Sequence, residues 1–501
     1  MWEGNLLQNE QSWILNRARL TPSKLALIDI LTDRKWSYEE LANESLRWWS
    51  YLKNEGLNKG DRVALLAENS IDLFPILFAC GLGGYIYVPL NWRLSKVELI
   101  SILEDCTPNI LITDRKFSNL GKEIFANKQV QFETNLKSKS IEYQFNSEWQ
   151  ESDPWLMIYT GGTMGKPKGV ILSFDAVNCN AINTILSWNL VSEDCTVNYM
   201  PLFHTGGLNA LSIPILMSGG TVVVGNKFDP EEAIRAVNDY KSTISLFVPT
   251  MYQAMIETEY FKKTTFPTVK VFLSGGAPCP KTIYSHFIKK GVHFKEGYGL
   301  TEAGPNNFYI DSEVAAKKLG SVGKSMMFNS IQITNDIGAP CKVGEVGELY
   351  IRGKHMFTMY WNNPDETNNT LINGWLKTGD LAKMDSDGDV FIVGRKKDMI
   401  ITGGENVYPL EVEHCIITHP QVKEVAVVGI SDEKWGEVVT AYIVTSEKSK
   451  EFELEIQRFC RNQLGAYKVP KKIVFVSELP KTHVGKIDKK QLMGTHIYEL
   501  G

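Results

Sequence analysis

The chain has 501 residues, too many for one ordinary core, so two or three domains are expected. Its hydrophobic share of 43% and charged share of 22% sit near globular averages and exclude a disordered or collagen-like chain. A formal net charge of -5 gives no field that would recruit nucleic acid, and eight cysteines without a CxxC pair or a histidine at metal spacing read as reduced, mostly buried thiols of a cytoplasmic protein.

The start, MWEGNLLQNEQS, lacks a basic stretch leading into an apolar run, so no signal peptide is expected. Ser37 to Asn54 has helical period, and DRVALLAEN (Asp61 to Asn69) reads as a strand. Leu73 to Trp92 is uncharged, but Pro75, Gly81, Gly83, Gly84 and Pro89 break it, which predicts a buried helix, turn and strand rather than a membrane span. NILITD (Asn109 to Asp114) is a further strand. Next comes YTGGTMGKPKG, Tyr159 to Gly169, a glycine-rich loop bearing lysine. Bare backbone N–H groups beside a lysine suit phosphate, yet Thr160 and Pro167 stand where a Walker loop needs glycine and a hydroxyl residue.

Val197 to Asn226, also uncharged, reads as buried core, with an apolar tunnel for a greasy ligand as the alternative. GTVVVG (Gly220 to Gly225) and KVFLSGG (Lys270 to Gly276) are strands flanking a helix over Asp229 to Lys241. This alternation predicts buried, largely parallel sheets with ligands at the carboxyl ends of strands, where SGGAP and EGYGLTEAG also fall. From Ile331 the texture shifts to hairpins with Asn-Asp, Val-Gly and Asp-Gly turns. RKKDM is a charged hinge candidate, and the last hundred or so residues are enough for a smaller α+β domain.

YTGGTMGKPKGV, PLFHTGGLNA, SGGAPCP, GYGLTEAGP, GWLKTGDLAKMDSDGDVFIVGRKKDMIITGGENVYPLEVE and LPKTHVGKIDKKQL occur in that order. The ordered series resembles the adenylate-forming enzymes: acyl- and aryl-CoA synthetases, firefly luciferase and the adenylation domains of nonribosomal peptide synthetases, with the fatty acyl-CoA synthetases most alike. The resemblance implies an α/β fold: a large N-terminal domain (residues 1–394) with two packed α/β sheets and a distorted β-barrel, a hinge at 395–398, and a small mobile α+β domain (399–501). It also implies ATP, Mg2+ and coenzyme A as cofactors, and a carboxylic acid that takes AMP from ATP before a thiol attacks it.

By that resemblance, Thr160, Gly161, Gly162, Thr163, Met164, Gly165 and Lys168 wrap the β- and γ-phosphates. Gly161 and Met164 replace the family's usual Ser and Thr, which removes two hydroxyl contacts and leaves backbone donors. Gly276, Ala277, Pro278, Tyr298 and Gly299 would border the nucleotide, with Tyr298 near adenine. Thr301 would bond the α-phosphate and Glu302 would bind Mg2+, a hard cation suited to carboxylate. Asp380 and Arg395 match ribose contacts, and Lys486 matches the lysine that reaches the substrate carboxylate and α-phosphate. Lys397 is the implied hinge, about which the loop holding Gly403 and Gly404 swings in for thioester formation, with Trp435, Tyr467 and Lys468 near CoA.

His204 and Thr205, with the small residues Gly206, Gly207, Gly275 and Gly276, would border the acid. No lysine or arginine sits among those small residues, so a medium to long fatty acid is expected. Alternatives are an aryl-acid CoA ligase, an acyl-adenylate ligase loading a carrier protein, and a non-catalytic acyl- or nucleotide-binding protein. A luciferase-like oxygenase shares the same motifs. Nothing anchors the chain to a membrane beyond contact through a greasy substrate, and the sequence leaves oligomeric state open.

Overall fold

A computed structural model describes residues 12–132, 149–161, 167–482 and 486–494. Seven strands form the first sheet, in the order Met359–Tyr360, Lys168–Ser173, Pro154–Thr160, Ile86–Pro89, Arg62–Leu66, Ile110–Thr113 and Gln129–Gln131. The last five run parallel, and the run-up to the phosphate loop and its return pair antiparallel, with Thr160 opposite Lys168. The loop therefore connects two paired antiparallel strands. Its residues Gly162, Thr163, Met164 and Gly165 lie outside the described residues.

The predicted break in Leu73 to Trp92 is seen as helix Leu73–Gly83, buried on nearly every side, which stops at Gly84 with φ 67° and turns into strand Ile86–Pro89. Glycine suits that left-handed cap because a side chain there would meet its own carbonyl. Gly81 lets the helix lie against Trp155, whose Nε1 donates to Leu77 O at 3.1 Å and whose ring stacks on Phe174. Among the described residues no helix is long and apolar enough to cross a membrane. Helix Tyr38–Asn54 covers the same core and starts at a reciprocal Ser37–Glu40 cap.

The second sheet orders Lys35–Ser37, Leu25–Asp29, Thr221–Val224 and Cys195–Asn198. Thr243 N–H donates to Cys195 O at 2.8 Å and brings in Ile244–Phe247, Val271–Ser274 and His293–Glu296, which are parallel to one another. Their carboxyl ends carry the loops SGGAP and EGYGLTE, as the α/β reading requires. Val197, Leu208, Ile213, Ile215 and Leu216 from the second uncharged stretch are all enclosed in core.

A third, antiparallel sheet joins Phe308–Tyr309, Ser321–Ser325, Val390–Arg395, Trp375–Met384, Gly347–Arg352 and Ser330–Thr334. Register shifts at Ser321/Gly323, Glu348/Tyr350 and Leu381/Ala382 bend it. Asp385 to Asp389 makes the predicted Asp-Gly hairpin turn, and Asn335 to Gly338 the predicted Asn-Asp one. The small domain has its own core around Ile400, Val412, Val427, Ile443 and Ile456. Strands Glu405–Val407, Ile400–Thr402, Gly436–Thr445, Val422–Asp432 and Lys472–Val476 face helices Pro409–Ile416 and Lys450–Arg461. Six of the eight cysteines are buried and all are free thiols, in accord with the sequence reading.

Candidate active site

The site lies where the strand ends of the second sheet meet the third sheet and one lysine of the small domain. Strand His293–Glu296 delivers Tyr298, whose hydroxyl donates to Asp380 Oδ2 at 2.6 Å. Asp380 stands on Trp375–Met384, directly across the antiparallel pair from Arg395, and Arg395 Nε is 3.1 Å from Asp380 Oδ1. Strand register alone places this pair. Burial raises the Asp380 carboxyl pKa, while Arg395, the Tyr298 hydroxyl and Lys486 oppose that rise. The Tyr298 ring is held edge-on by Phe308 at 5.7 Å.

Gly299 meets a backbone constraint: a Cβ there would come 1.7 Å from Pro305 O, so only glycine lets the chain turn into the short helix Thr301–Ala303. Thr301 is buried. Glu302 is held from two sides, since Tyr360 donates its hydroxyl to Glu302 Oε1 at 2.8 Å and Phe357 N–H donates to Glu302 O at 2.8 Å.

Lys486 comes from the small domain. Its loop is closed by Thr482 N–H on Lys486 O at 2.6 Å and by the Lys481–Ile487 bridge. A Cβ on Gly276, where φ is +81°, would lie 3.9 Å from Lys486 Cε and 3.5 Å from Val248. The lysine thus packs beside Gly276, where the positive φ would strain a side chain. Burial lowers its proton affinity, the Arg395 charge lowers it further, and Asp380 opposes both. An enclosed ammonium with one carboxylate among its neighbours is poised for an arriving anion.

His204 faces the same lysine. Gly206 N–H donates to its Nδ1 at 3.2 Å, so the neutral ring carries its proton on Nε2. Burial and the Lys486 charge push its pKa down to about 4. A small cavity, lined by Thr196, Val197, Asn198, Met200, Gly206 and Leu246, lies beside it. The other expected acid contacts are divided. Thr205 is buried and its hydroxyl accepts from Asn209 Nδ2 at 3.0 Å, a bond within its own turn. Gly207 is a glycine because a Cβ would meet Pro201 O at 2.2 Å. Gly275, whose Cβ would touch Leu246 at 3.3 Å, borders the same region.

Ala277 and Pro278 complete the open loop after Gly276. Two residues that sequence reading passed over support this loop. Glu296 Oε1 accepts from Cys279 N–H at 3.1 Å and its Oε2 from the Tyr284 hydroxyl at 2.6 Å. Its position just before GYG was the only available signal. Tyr360 and Glu366, around Lys168, had none. Lys168 ion pairs with Glu366 and lies 5.3 Å over the Tyr360 ring. At the hairpin base, Gly161 points its missing Cβ into open space.

The residues expected around CoA form a separate cluster. Gly403 (φ +61°) and Gly404 (φ +85°) make a tight turn, and a Cβ on Gly403 would come 2.9 Å from the Trp435 ring. Lys471 Nζ caps that ring at 3.3 Å from its centroid. Lys468 is paired with Glu411 at 2.7 Å, beside half-exposed Tyr467. Lys397 is exposed, while its neighbour Lys396 is tied to Asp336 at 3.0 Å and Glu348 at 3.2 Å.

The donor set suits a nucleotide with a hard cation: a carboxylate and a hydroxyl at Glu302 and Thr301, bare backbone at Gly275 and Gly276, and an ammonium opposite. Comparison with known proteins agrees. Residues 14–361 match the family described as AMP-binding enzyme, and residues 411–486 match the AMP-binding enzyme C-terminal domain. A feruloyl-CoA synthase of Amycolatopsis sp is 34% identical over 96% of this chain and 98% of its own. The o-succinylbenzoate CoA synthetase of Bacillus subtilis, solved with its acyl-adenylate OSB-AMP, superposes with a TM-score of 0.87 at 32% identity, covering 96% of this chain and 98% of that one. A fatty acyl CoA synthetase of Mycobacterium tuberculosis gives 0.78 at 30% identity, covering 98% of each chain. With one family model matched over residues 14–361 and its C-terminal partner over residues 411–486, the chain belongs to the AMP-binding enzyme family.

Proposed function

We propose that the chain is an AMP-forming acid–thiol ligase whose acid is aromatic. The observation that carries the ligase reading is Lys486: a lysine from the small domain is enclosed beside Gly276, His204 and Asp380 of the large one. The aromatic acid replaces the fatty acid expected from the sequence, because the feruloyl and succinylbenzoate enzymes, at 34% and 32% identity, resemble this chain more than the fatty acyl CoA synthetase does at 30%, and the succinylbenzoate enzyme superposes better, at 0.87 against 0.78. The cavity beside His204 is lined by uncharged residues, so it offers no partner for a second carboxylate.

The enzyme uses ATP, Mg2+ and coenzyme A. The substrate carboxylate attacks the α-phosphorus of ATP, the bond to the bridging oxygen breaks, and pyrophosphate leaves with acyl-AMP remaining. Lys486 neutralises charge between the carboxylate and that bridging oxygen, where preorganised positive charge lowers the barrier most. Thr301 donates to the α-phosphate. Glu302 would hold Mg2+, whose charge would offset that of the polyphosphate. Asp380 accepts from the ribose hydroxyls, with Tyr298 and Arg395 orienting its carboxylate. Thr160 and Lys168, at the two ends of the glycine-rich loop, hold the β- and γ-phosphates. In the second step the CoA thiol attacks the acyl carbon, AMP leaves, and the thiol proton is released. For this the loop with Gly403 and Gly404 replaces Lys486 at the acyl-adenylate, by rotation about Lys397.

A panel of aromatic, fatty and dicarboxylic acids, assayed for pyrophosphate and AMP release with and without CoA, tests this reading. Aromatic acids should give CoA-dependent thioester and AMP, whereas ADP and phosphate as products would sink the adenylation chemistry. Lys486→Ala should slow acid-dependent pyrophosphate release by roughly 10²–10³-fold, the usual loss for one charge-stabilising group. Its thioester formation from supplied acyl-adenylate should stay within a few-fold of wild type.

A further inference from the structure

Lys168, Tyr360 and Glu366 form a connected cluster between the phosphate hairpin and Glu302. The Tyr360 hydroxyl is on Glu302 Oε1 at 2.8 Å, and the Lys168 ammonium lies 5.3 Å over the same tyrosine ring. The ammonium then pairs with Glu366 in the first turn of helix Pro364–Thr370. That turn is rigidly set: the Asn363 side chain accepts from Glu366 N–H at 3.2 Å, and Thr367 Oγ1 accepts from Tyr360 N–H at 3.0 Å. The lysine side chain is 17% exposed and the glutamate 36%, so the cation is enclosed while its anion borders solvent.

We propose that Glu366 is a built-in counter-anion, whose carboxylate holds the Lys168 ammonium where a polyphosphate oxygen of MgATP would otherwise sit, and which therefore sets the affinity of the site for the nucleotide. The inference rests on the reading of Lys168 as a phosphate contact. Carboxylate and phosphate oxygens are alternative partners for one compact ammonium. Two anions crowded on one cation repel each other, so nucleotide binding drives Glu366 outward, and its exposure makes that movement inexpensive. The Tyr360 ring keeps the released ammonium in place on the side where Glu302 stands.

Calorimetric titration with MgATP, without any acid, decides the matter. Lys168→Met should weaken binding by about tenfold or more, as expected for loss of a charged hydrogen-bond partner. Glu366→Gln should tighten binding by about two- to fivefold, the range of a partly exposed ion pair, and the double variant should bind like Lys168→Met alone. Equal or weaker binding by Glu366→Gln, with Lys168→Met impaired, would overturn the counter-anion and leave the phosphate contact standing. Unchanged binding by a folded Lys168→Met, checked by thermal melting, would overturn both.

Discussion

Glu296 shows how one carboxylate can tie the nucleotide loop to protonation. Burial pushes its pKa up to about 7, against the hydrogen bonds it accepts from Tyr284 and from Cys279 N–H. A folded-state pKa raised above the ordinary 4.5 means that the folded protein binds the proton more tightly than the unfolded chain. Its contribution to stability is fully present below that ordinary value and is lost as pH rises through about 7. Glu296→Gln imitates the protonated form, with one acceptor and a donor that Tyr284 can face. Thermal melting across this window should therefore show wild type losing stability with rising pH more steeply than the variant. Parallel melting curves for the two proteins would remove Glu296 as the cause. His204 has the opposite sign. With its pKa depressed to about 4, its contribution is fully present above the ordinary 6.5 and is lost progressively as pH falls from there through about 4.

Among the elements, the turn at Gly403 and Gly404 shows a glycine chosen for two reasons at once. Its φ of +61° is uncomfortable for alanine, and the added Cβ would press on the Trp435 ring at 2.9 Å. Gly403→Ala should cost about 1–2 kcal/mol locally from backbone handedness alone. It should slow thioester formation more than pyrophosphate release, measured as separate half-reactions; equal slowing would mean that the turn has no special part in the second step. The elements best read from sequence were those with local signatures. Val- and Ile-rich runs gave Arg62–Leu66, Ile110–Thr113 and Thr221–Val224, and the helical period of Ser37 to Asn54 gave Tyr38–Asn54. An apolar run has the same composition whether it packs as core or lines a ligand, and Val197 to Asn226 does some of each: Ile213, Ile215 and Leu216 are packed, while Met200 and Gly206 line the cavity beside His204. Tyr360 and Glu366 escaped notice for another reason. They meet partners 58 and 198 positions away, a pairing that only the fold creates. Asp380 and Arg395 were legible as motif residues, but their direct pairing is a consequence of hairpin register.

At the scale of the whole molecule, the proposed reading gives Lys486 the first half-reaction and the Gly403 turn the second; in the arrangement seen Lys486 lies beside Gly276 and the Gly403 turn packs on Trp435 within the small domain. The chain between the domains suits a swivel. Lys396 is fastened to Asp336 and Glu348 on the large side, and the small-domain sheet begins at Ile400, which leaves Lys397, Asp398 and Met399 to absorb the change. Lys396–Asp398 is one turn of 3₁₀ helix, whose backbone angles proline accepts. Lys397→Pro should therefore preserve the present arrangement while stiffening the exit from it. Pyrophosphate release with acid and ATP is expected to stay within about threefold of wild type, while thioester formation falls by about an order of magnitude or more, as for a step gated by domain motion. Equal loss in both half-reactions would place the damage in folding or in the site itself, and full retention of both would move the pivot away from Lys397.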